Sequence, residues 1–343
     1  MRKTLLFALV VSVSLAAFSG SAVAAQWANP DLLVSAEEVE KNIAKADWVV
    51  VDCRKLEEYA KGHIPGAISF GKNCKKALRD GTSRAFKDAS KYEKILGKVG
   101  IGNNTHVVFY GELKSKSMDD PPIAFWIMEY LGHTKAHVMN GGLEGWVKAG
   151  KKLEQTPVIK QPATFKAKVV RSRLASTDEI LQIAKGKKTG VQVIDARSKK
   201  EHEGEDIRAI RGGRVPHTTA NIPHEATYDK TKDPATGKDK ATTFLSPDRV
   251  ADAYKALDKT KRTIAYCQTG SRSGTSYLEL RLLGFKDPAN WDDSWIVWGS
   301  DLRKNYPIED EEWIDLSRID KLEKDVKKMK ETLDKLKPAD DKH

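Results

Sequence analysis

Beyond its first two dozen residues the chain has no apolar run long enough to span a bilayer. Its one long apolar stretch, Leu5 to Ala17, follows a basic start at Arg2 and Lys3 and precedes the small-residue site Ala22-Val-Ala24. That order predicts a cleaved signal peptide over residues 1–24 and a mature chain starting near Ala25 or Gln26. The expected location is periplasmic or secreted, with no membrane contact after cleavage. Cysteine is scarce as well. Three in 343 residues is an odd number, so at least one stays unpaired within a monomer even in an oxidising compartment. A concentrated basic arm is also missing. The net charge is +11 (+9 without Arg2 and Lys3), but the lysines are spread along the whole chain and no nucleic-acid-binding motif occurs. Nucleic acid is therefore not an expected partner. The spread charge serves solubility and raises the local concentration of small anions.

Cys267 stands out. It ends the apolar, strand-like run Thr263-Ile-Ala-Tyr266, and the short loop Gln268-Thr269-Gly270-Ser271 leads to Arg272, which opens an amphipathic helix. Loop and first-turn N–H groups, the helix dipole and the Arg272 charge all favour thiolate over thiol, and the thiolate is the nucleophile. A purely structural cysteine has no need of that loop and arginine. Cys53, in the apolar run Trp48-Val-Val-Val-Asp52-Cys53, reads as a packed core residue. Cys74 lies among lysines (Gly71-Lys-Asn-Cys74-Lys-Lys), where the sequence allows either an exposed thiol or a Cys53–Cys74 disulfide and demands neither.

The chain also repeats itself. Val49-Val-Val-Asp52-Cys-Arg54 matches Gln192-Val-Ile-Asp195-Ala-Arg197, Thr105 to Tyr110 matches Thr263 to Tyr266, and Gly141 to Trp146 matches Asp293 to Trp298. Each copy alternates short β-branched runs with helical periodicity, which predicts an α/β unit on a parallel sheet buried on both faces. Ser35-Ala-Glu-Glu38, Ser90-Lys-Tyr-Glu93 and Ser176-Thr-Asp-Glu179 read as capping boxes, and Pro247 as a first helical residue. Leu153 to Arg171 reads as the boundary, and Lys230 to Thr243 as a surface loop. Ile319, Leu322, Val326, Met329, Leu333 and Leu336 form a heptad stripe on a terminal helix over 314–343. That stripe could pair two chains through 316–336 or fold back on its own domain.

Together these residues resemble the tandem-domain rhodanese family, the thiosulfate and 3-mercaptopyruvate sulfurtransferases. The resemblance spans Asp31 to Trp313 and rests on four segments. They are Asp52-Cys-Arg54 with Gly62-His-Ile-Pro-Gly-Ala67, Asp195-Ala-Arg197, Cys267-Gln-Thr-Gly-Ser-Arg272, and Trp291-Asp-Asp-Ser-Trp295-Ile-Val-Trp298. It implies two rhodanese-like domains, 31–153 without a nucleophile and 171–313 catalytic. Aligning Tyr110 with Tyr266 places Gly111 opposite Cys267 and Lys116 opposite Arg272, and the first copy's loop is four residues longer. The implied chemistry moves sulfane sulfur from thiosulfate through a Cys267 persulfide to cyanide or a thiol. Arg272 and the loop Gln268, Thr269, Gly270 and Ser271 would bind the small anionic donor; Ser273 and Trp295 would support them. No metal or organic cofactor is required.

The resemblance leaves rivals. The related phosphatases have one more residue between cysteine and arginine and need a general acid. Asp292 and Asp293 could be named for that role, but they belong to the rhodanese pattern. A persulfide carrier serving a partner protein is the binding-class alternative, and mercaptopyruvate or polysulfide the alternative donors; Arg272 tips the reading to thiosulfate. Asp195 and Arg197 look catalytic, yet Asp52 and Arg54 repeat them beside no nucleophile. A structural tie from strand end to neighbouring loop is the better reading. His63 reads as a turn residue, His217 or Arg214 as a candidate to reach the cleft, and Trp291, Trp295 and Trp298 as packing.

Overall fold

The computed structural model describes residues 26–80, 84–113, 116–232, 237, 239–315 and 323–332. The expected signal peptide lies outside the described residues. Among the described residues no helix is long and apolar enough to cross a membrane.

The first unit runs β1 (Leu33–Val34), α1 (Ala36–Asn42), β2 (Trp48–Asp52), α2 (Leu56–Lys61), β3 (Ile68–Ser69), α3 (Cys74–Ala77), α4 (Ala89–Lys98), β4 (His106–Tyr110), α5 (Asp120–Tyr130), β5 (Ala136–Met139) and α6 (Gly142–Lys148). Its five strands are parallel in the order β1-β5-β4-β2-β3. The second runs α7 (Thr177–Ala184), β6 (Gln192–Asp195), α8 (Lys199–His202), β7 (Arg211–Arg214), β8 (Ala220–Asn221), β9 (Tyr228–Lys232), β10 (Asp239–Phe244), α9 (Pro247–Ala253), β11 (Arg262–Tyr266), α10 (Arg272–Leu282), β12 (Asp287–Asn290), α11 (Ser294–Trp298) and β13 (Glu309–Trp313). Its parallel sheet has the order β12-β11-β6-β8. Leu174 bridges Asn290 at the place that β1 takes in the first unit. Strands such as Val49-Val-Val are buried at every position because helices cover both faces.

Helix starts follow the sequence in part. Ser35 and Ser176 accept hydrogen bonds from Glu38 and Glu179 N–H, and Pro247 opens α9. Ser90 does not cap. Asp88 takes that place and accepts from the Ser90 amide and hydroxyl, while Glu93 turns to Lys166 and Ala167 N–H.

Three other expectations change or are decided. Lys230 to Thr243 is not a plain surface loop: β9 and β10 form an antiparallel hairpin. The aromatic residues at its base, Tyr228 and Phe244, are buried in the first unit's core, which gives the hairpin an anchor that its polar middle conceals. Cys74 is not an exposed thiol; it is fully buried and disulfide-bonded to Cys53, with its lysine neighbours pointing elsewhere. Of the terminal stripe, only Val326 and Met329 fall among the described residues. They are exposed on a helix over 323–332, not folded back on the domain.

The two units share a core. Helix α5 packs on α10 so closely that a Cβ on Gly274 would stand 3.0 Å from Ile123 Cα. Arg281 grips Glu129 across the same seam with contacts of 2.8–3.0 Å, and Tyr277 donates to Glu129 at 2.6 Å.

Candidate active site

Cys267 is fully buried where β11 ends, and it is the free cysteine among the described residues. Its amide donates to Ser294 Oγ at 3.1 Å, and its carbonyl accepts from Trp295 N–H at 3.0 Å, which ties the strand end to α11. Ser273, on the first turn of α10, donates to Asn290 Oδ1 at 2.6 Å and stands 3.6 Å from the Cys267 sulfur. Ser273 is thus the described side chain with a polar group beside the sulfur.

The loop over residues 268–271 is held by its outward-facing carbonyls. Gly270 C=O accepts from Asn290 Nδ2 at 3.1 Å, and Thr269 C=O accepts from Arg79 Nη2 at 2.5 Å. Gly270 has φ +78°, and a Cβ there would meet Asp292 Oδ1 at 2.5 Å, so glycine is required for both conformation and space. Among the described residues, none accepts a hydrogen bond from the amides of Thr269, Gly270 or Ser271. Unsatisfied amides at the entrance to an eleven-residue helix suit an anion or a charged sulfur. Gln268 sits at the rim and donates to Arg208 C=O at 2.6 Å.

Arg272 departs from expectation. Its Nη1 and Nη2 each donate to Glu201 at 2.7 Å, so the face of the fork that they form is occupied by a carboxylate rather than open to a donor. Burial acts against the charge on each partner. The Glu201 hydrogen bonds and the nearby Cys267 nevertheless hold the Arg272 guanidinium above its ordinary value, and Arg272 holds Glu201 below the usual carboxylate range. Glu201 is a residue that sequence reasoning missed. Two signals were present: Ser198 and Glu201 form a full capping box for α8, and Glu58 follows Asp52-Cys-Arg54 at the spacing by which Glu201 follows Asp195-Ala-Arg197.

Asp195 and Arg197 are brought near the site but face its scaffold. Arg197 clasps Asp195, reaches Gly213 C=O at 2.7 Å and lies 4.3 Å over the Trp295 ring, while Tyr266 donates to Asp195 Oδ2 at 2.9 Å. Burial alone would raise the Asp195 carboxyl, but the Arg197 charge and the His202 hydrogen bond hold it well below the usual range. The first unit repeats the tie through Arg54, Asp52, Gly62 C=O and Tyr110. Trp295 is buried and donates to Arg211 C=O, a packing role. Arg214 pairs with Glu309 and Asp310, and His217 is exposed beside Glu309; neither reaches Cys267. His63 hydrogen-bonds Tyr59 and Thr156 carbonyls in the first unit. Asp292 and Asp293 are engaged by Arg79, Ala85 N–H, Arg84 and Thr177, so neither stands ready to protonate a leaving oxygen. Among the described residues no group of three or more His, Cys, Asp or Glu side chains could hold a metal ion.

A model of the rhodanese-like domain matches this chain twice, over residues 35–149 and 176–301. The chain belongs to the rhodanese family. The free cysteine, Cys267, lies in the second of the two matched copies. Among curated relatives, a Haloferax volcanii protein named "Putative thiosulfate sulfurtransferase" is 31% identical over 289 residues, covering 79% of this chain and 94% of the relative. The Thermus thermophilus "Sulfur carrier protein TtuD" is 30% identical over 288 residues, covering 80% and 95%. Two solved structures share the fold. Escherichia coli SseA, described as a 3-mercaptopyruvate sulfotransferase, has a TM-score of 0.63 at 21% identity, covering 77% of this chain and 98% of that one. The anaerobic ergothioneine biosynthesis enzyme of Chlorobium limicola has a TM-score of 0.69 at 21% identity, covering 82% and 71%.

Proposed function

We propose that this rhodanese moves sulfane sulfur from thiosulfate to cyanide or a thiol through a persulfide on Cys267. The observation that carries the reading is the Cys267 loop itself: a lone free thiol where carbonyls are tethered outward and three consecutive amides lack an acceptor among the described residues. In the first half-reaction the Cys267 thiolate attacks the outer sulfur of thiosulfate. The donor's S–S bond breaks, its electron pair leaves with sulfite, and a cysteine persulfide anion remains. In the second, cyanide or a thiolate attacks the outer sulfur and the Cys267 thiolate departs. Negative charge stays on or beside the transferred sulfur throughout, and fixed N–H dipoles stabilise it without reorganising. Arg272 acts through the field of its pair with Glu201 rather than as a free fork, leaving the amides and the cationic surface to bring in the anionic donor.

A carrier reading, in which the persulfide passes to a partner protein, is favoured by one observation: a relative of full-length coverage bears the name of a sulfur carrier. Export to an oxidising compartment is part of the proposal and is supported by the buried Cys53–Cys74 disulfide. Association of copies through 316–336 is supported by exposed Val326 and Met329.

The test is thiosulfate:cyanide turnover of the mature protein beside Cys267→Ala, with intact mass before and after thiosulfate. Turnover with a one-sulfur adduct, both lost in the variant, is the expected result. An adduct without turnover selects the carrier. Neither adduct nor turnover removes thiosulfate as donor and moves the assay to mercaptopyruvate and polysulfide.

A further inference from the structure

We propose that Arg79, supplied by the domain without a nucleophile, is a positioning residue that sets the direction of the sulfur-binding amides. The proposal rests on the sulfur-transfer reading of Cys267. Arg79 lies just past α3 and is 2% exposed, yet its hydrogen bonds cross to the other domain. Nη1 donates to Ser271 Oγ at 2.9 Å; Nη2 donates to Thr269 C=O at 2.5 Å and to Asp292 Oδ1 at 2.6 Å. Asp292 in turn accepts from Ala85 N–H at 2.6 Å and stands against Gly270, so one buried ion pair braces the loop from below.

The geometry of the peptide bond turns this brace into a catalytic effect. In a trans peptide the N–H points opposite the preceding C=O. Arg79 fixes Thr269 C=O, so it also fixes Gly270 N–H on the far side; Asn290 does the same for Ser271 N–H through Gly270 C=O. A fully buried arginine aimed at a main-chain carbonyl therefore controls where an amide points in a domain it does not belong to. The Cys53–Cys74 disulfide staples the start of α3 to the end of β2, and Cys74 N–H also donates to Cys53 C=O at 3.3 Å, which holds the segment leading to Arg79.

Removing Arg79 alone would leave Asp292 a buried carboxylate without its cation, a cost large enough to compromise folding. The informative variant is therefore Arg79→Met with Asp292→Asn, which deletes both charges and keeps an acceptor for Ala85. Arg79→Lys, which keeps a charge but not the fork, accompanies it. Two quantities are read on folded protein. One is kcat with KM for thiosulfate, normalised to reactive Cys267. The other is the ratio of Cys267 alkylation rates with anionic iodoacetate and neutral iodoacetamide. The paired variant should lose about 100-fold in kcat per reactive thiol, the scale of a misdirected stabilising donor, with partial recovery in Arg79→Lys. Its iodoacetate:iodoacetamide ratio should fall about tenfold, because the amides no longer converge on an anion. A folded paired variant with kcat per thiol within about twofold of wild type and an unchanged ratio overturns the proposal. The alkylation ratio needs no turnover. If the wild type carries no sulfur at all, the reading of Cys267 fails on its own, while the ratio still decides whether Arg79 directs the amides.

Discussion

The two domains carry the same scaffold and differ where chemistry would happen. Each ties its strand end with an Asp, an Arg two residues on, a Tyr hydroxyl and a glycine carbonyl. Leu143 N–H donates to Gly111 C=O at 2.9 Å in one, and Trp295 N–H to Cys267 C=O at 3.0 Å in the other. Around that shared frame the first domain has Gly111 at the place of Cys267, and the hairpin residues Tyr228 and Phe244 of the second domain line the space beside Gly111. The exchange is reciprocal. Phe244 N–H donates to Asn140, and Ala85 N–H donates to Asp292, the residue at the matching place. Each domain thus lends a segment to the other's loop, one that closes a site and one that braces it. The difference teaches that the first domain is part of the Cys267 loop's support, not a spare copy beside it.

The sharpest way to test the shared scaffold is to break it on both sides. Arg54→Ala and Arg197→Ala each remove the arginine from a buried carboxylate, a loss of about 3–5 kcal/mol in stability, the lower end applying to Arg197→Ala because His202 still contacts Asp195 at 2.8 Å. Large losses in urea denaturation are expected in both, the smaller in Arg197→Ala, together with near-normal kcat per reactive Cys267 in folded Arg54→Ala. A loss confined to Arg197→Ala would break the equivalence and give the second tie a role of its own.

A smaller effect marks a difference inside the matched helices α5 and α10. Counting back from Leu131 and Leu283, buried Ile127 of the first domain faces the place of buried Glu279 in the second. Glu279 accepts from the Thr227 and Tyr254 hydroxyls, but burial dominates and pushes its carboxyl up from 4.5 to about 7. Its folded state therefore keeps a proton that the unfolded chain has released. The stability this proton contributes is complete below about pH 4.5 and is lost as pH rises through about 7. Glu279→Gln should gain little at pH 5 and on the order of 1–3 kcal/mol at pH 8, read from denaturation at both pH values. A gain independent of pH would mean that Glu279 is already ionised at pH 5.

Much of this was legible in the sequence, for reasons that particular residues make clear. The parallel sheets showed because Val49-Val-Val and Val191-Gln-Val-Ile are local patterns, and the domain pair showed because the patterns recur in order. Cys267 showed because its strand, loop and helix are contiguous. Arg79, Asn290 and Ser294 did not, since each acts on the loop from a distant element; Arg79 contacts residues some 190–213 positions away. Between an exposed thiol and a disulfide at Cys74 the sequence could not choose, because its lysine neighbours describe the surface around it rather than the direction of its own side chain. Arg272 was read as an open cation because its partner, Glu201, is 71 positions upstream, on a different element.

The smallest predicted effect isolates the contact that Cys267 makes through its own amide. Gly142 and Ser294 occupy matching places after Gly141 and Asp293, and both have left-handed backbones, φ +53° and +54°. Glycine adopts that conformation freely, whereas a serine there costs about 1–2 kcal/mol. The strain goes with a function: Ser294 Oγ accepts the Cys267 amide and donates to Trp291 C=O at 2.8 Å. Ser294→Gly relieves the strain but leaves the buried amide without its acceptor, two effects of about 1 kcal/mol and opposite sign. Stability should therefore change little, while kcat per reactive thiol drops about 3–10-fold as the Cys267 backbone loses its anchor. Gly142→Ser gives the control. Its Cβ would meet Gly111 C=O at 2.6 Å, so stability falls and catalysis per folded molecule does not. If Ser294→Gly instead gains stability and keeps its kcat, the strained serine serves neither the fold nor the thiol, and the distinction between the two loops rests on Cys267 and its Arg79 brace.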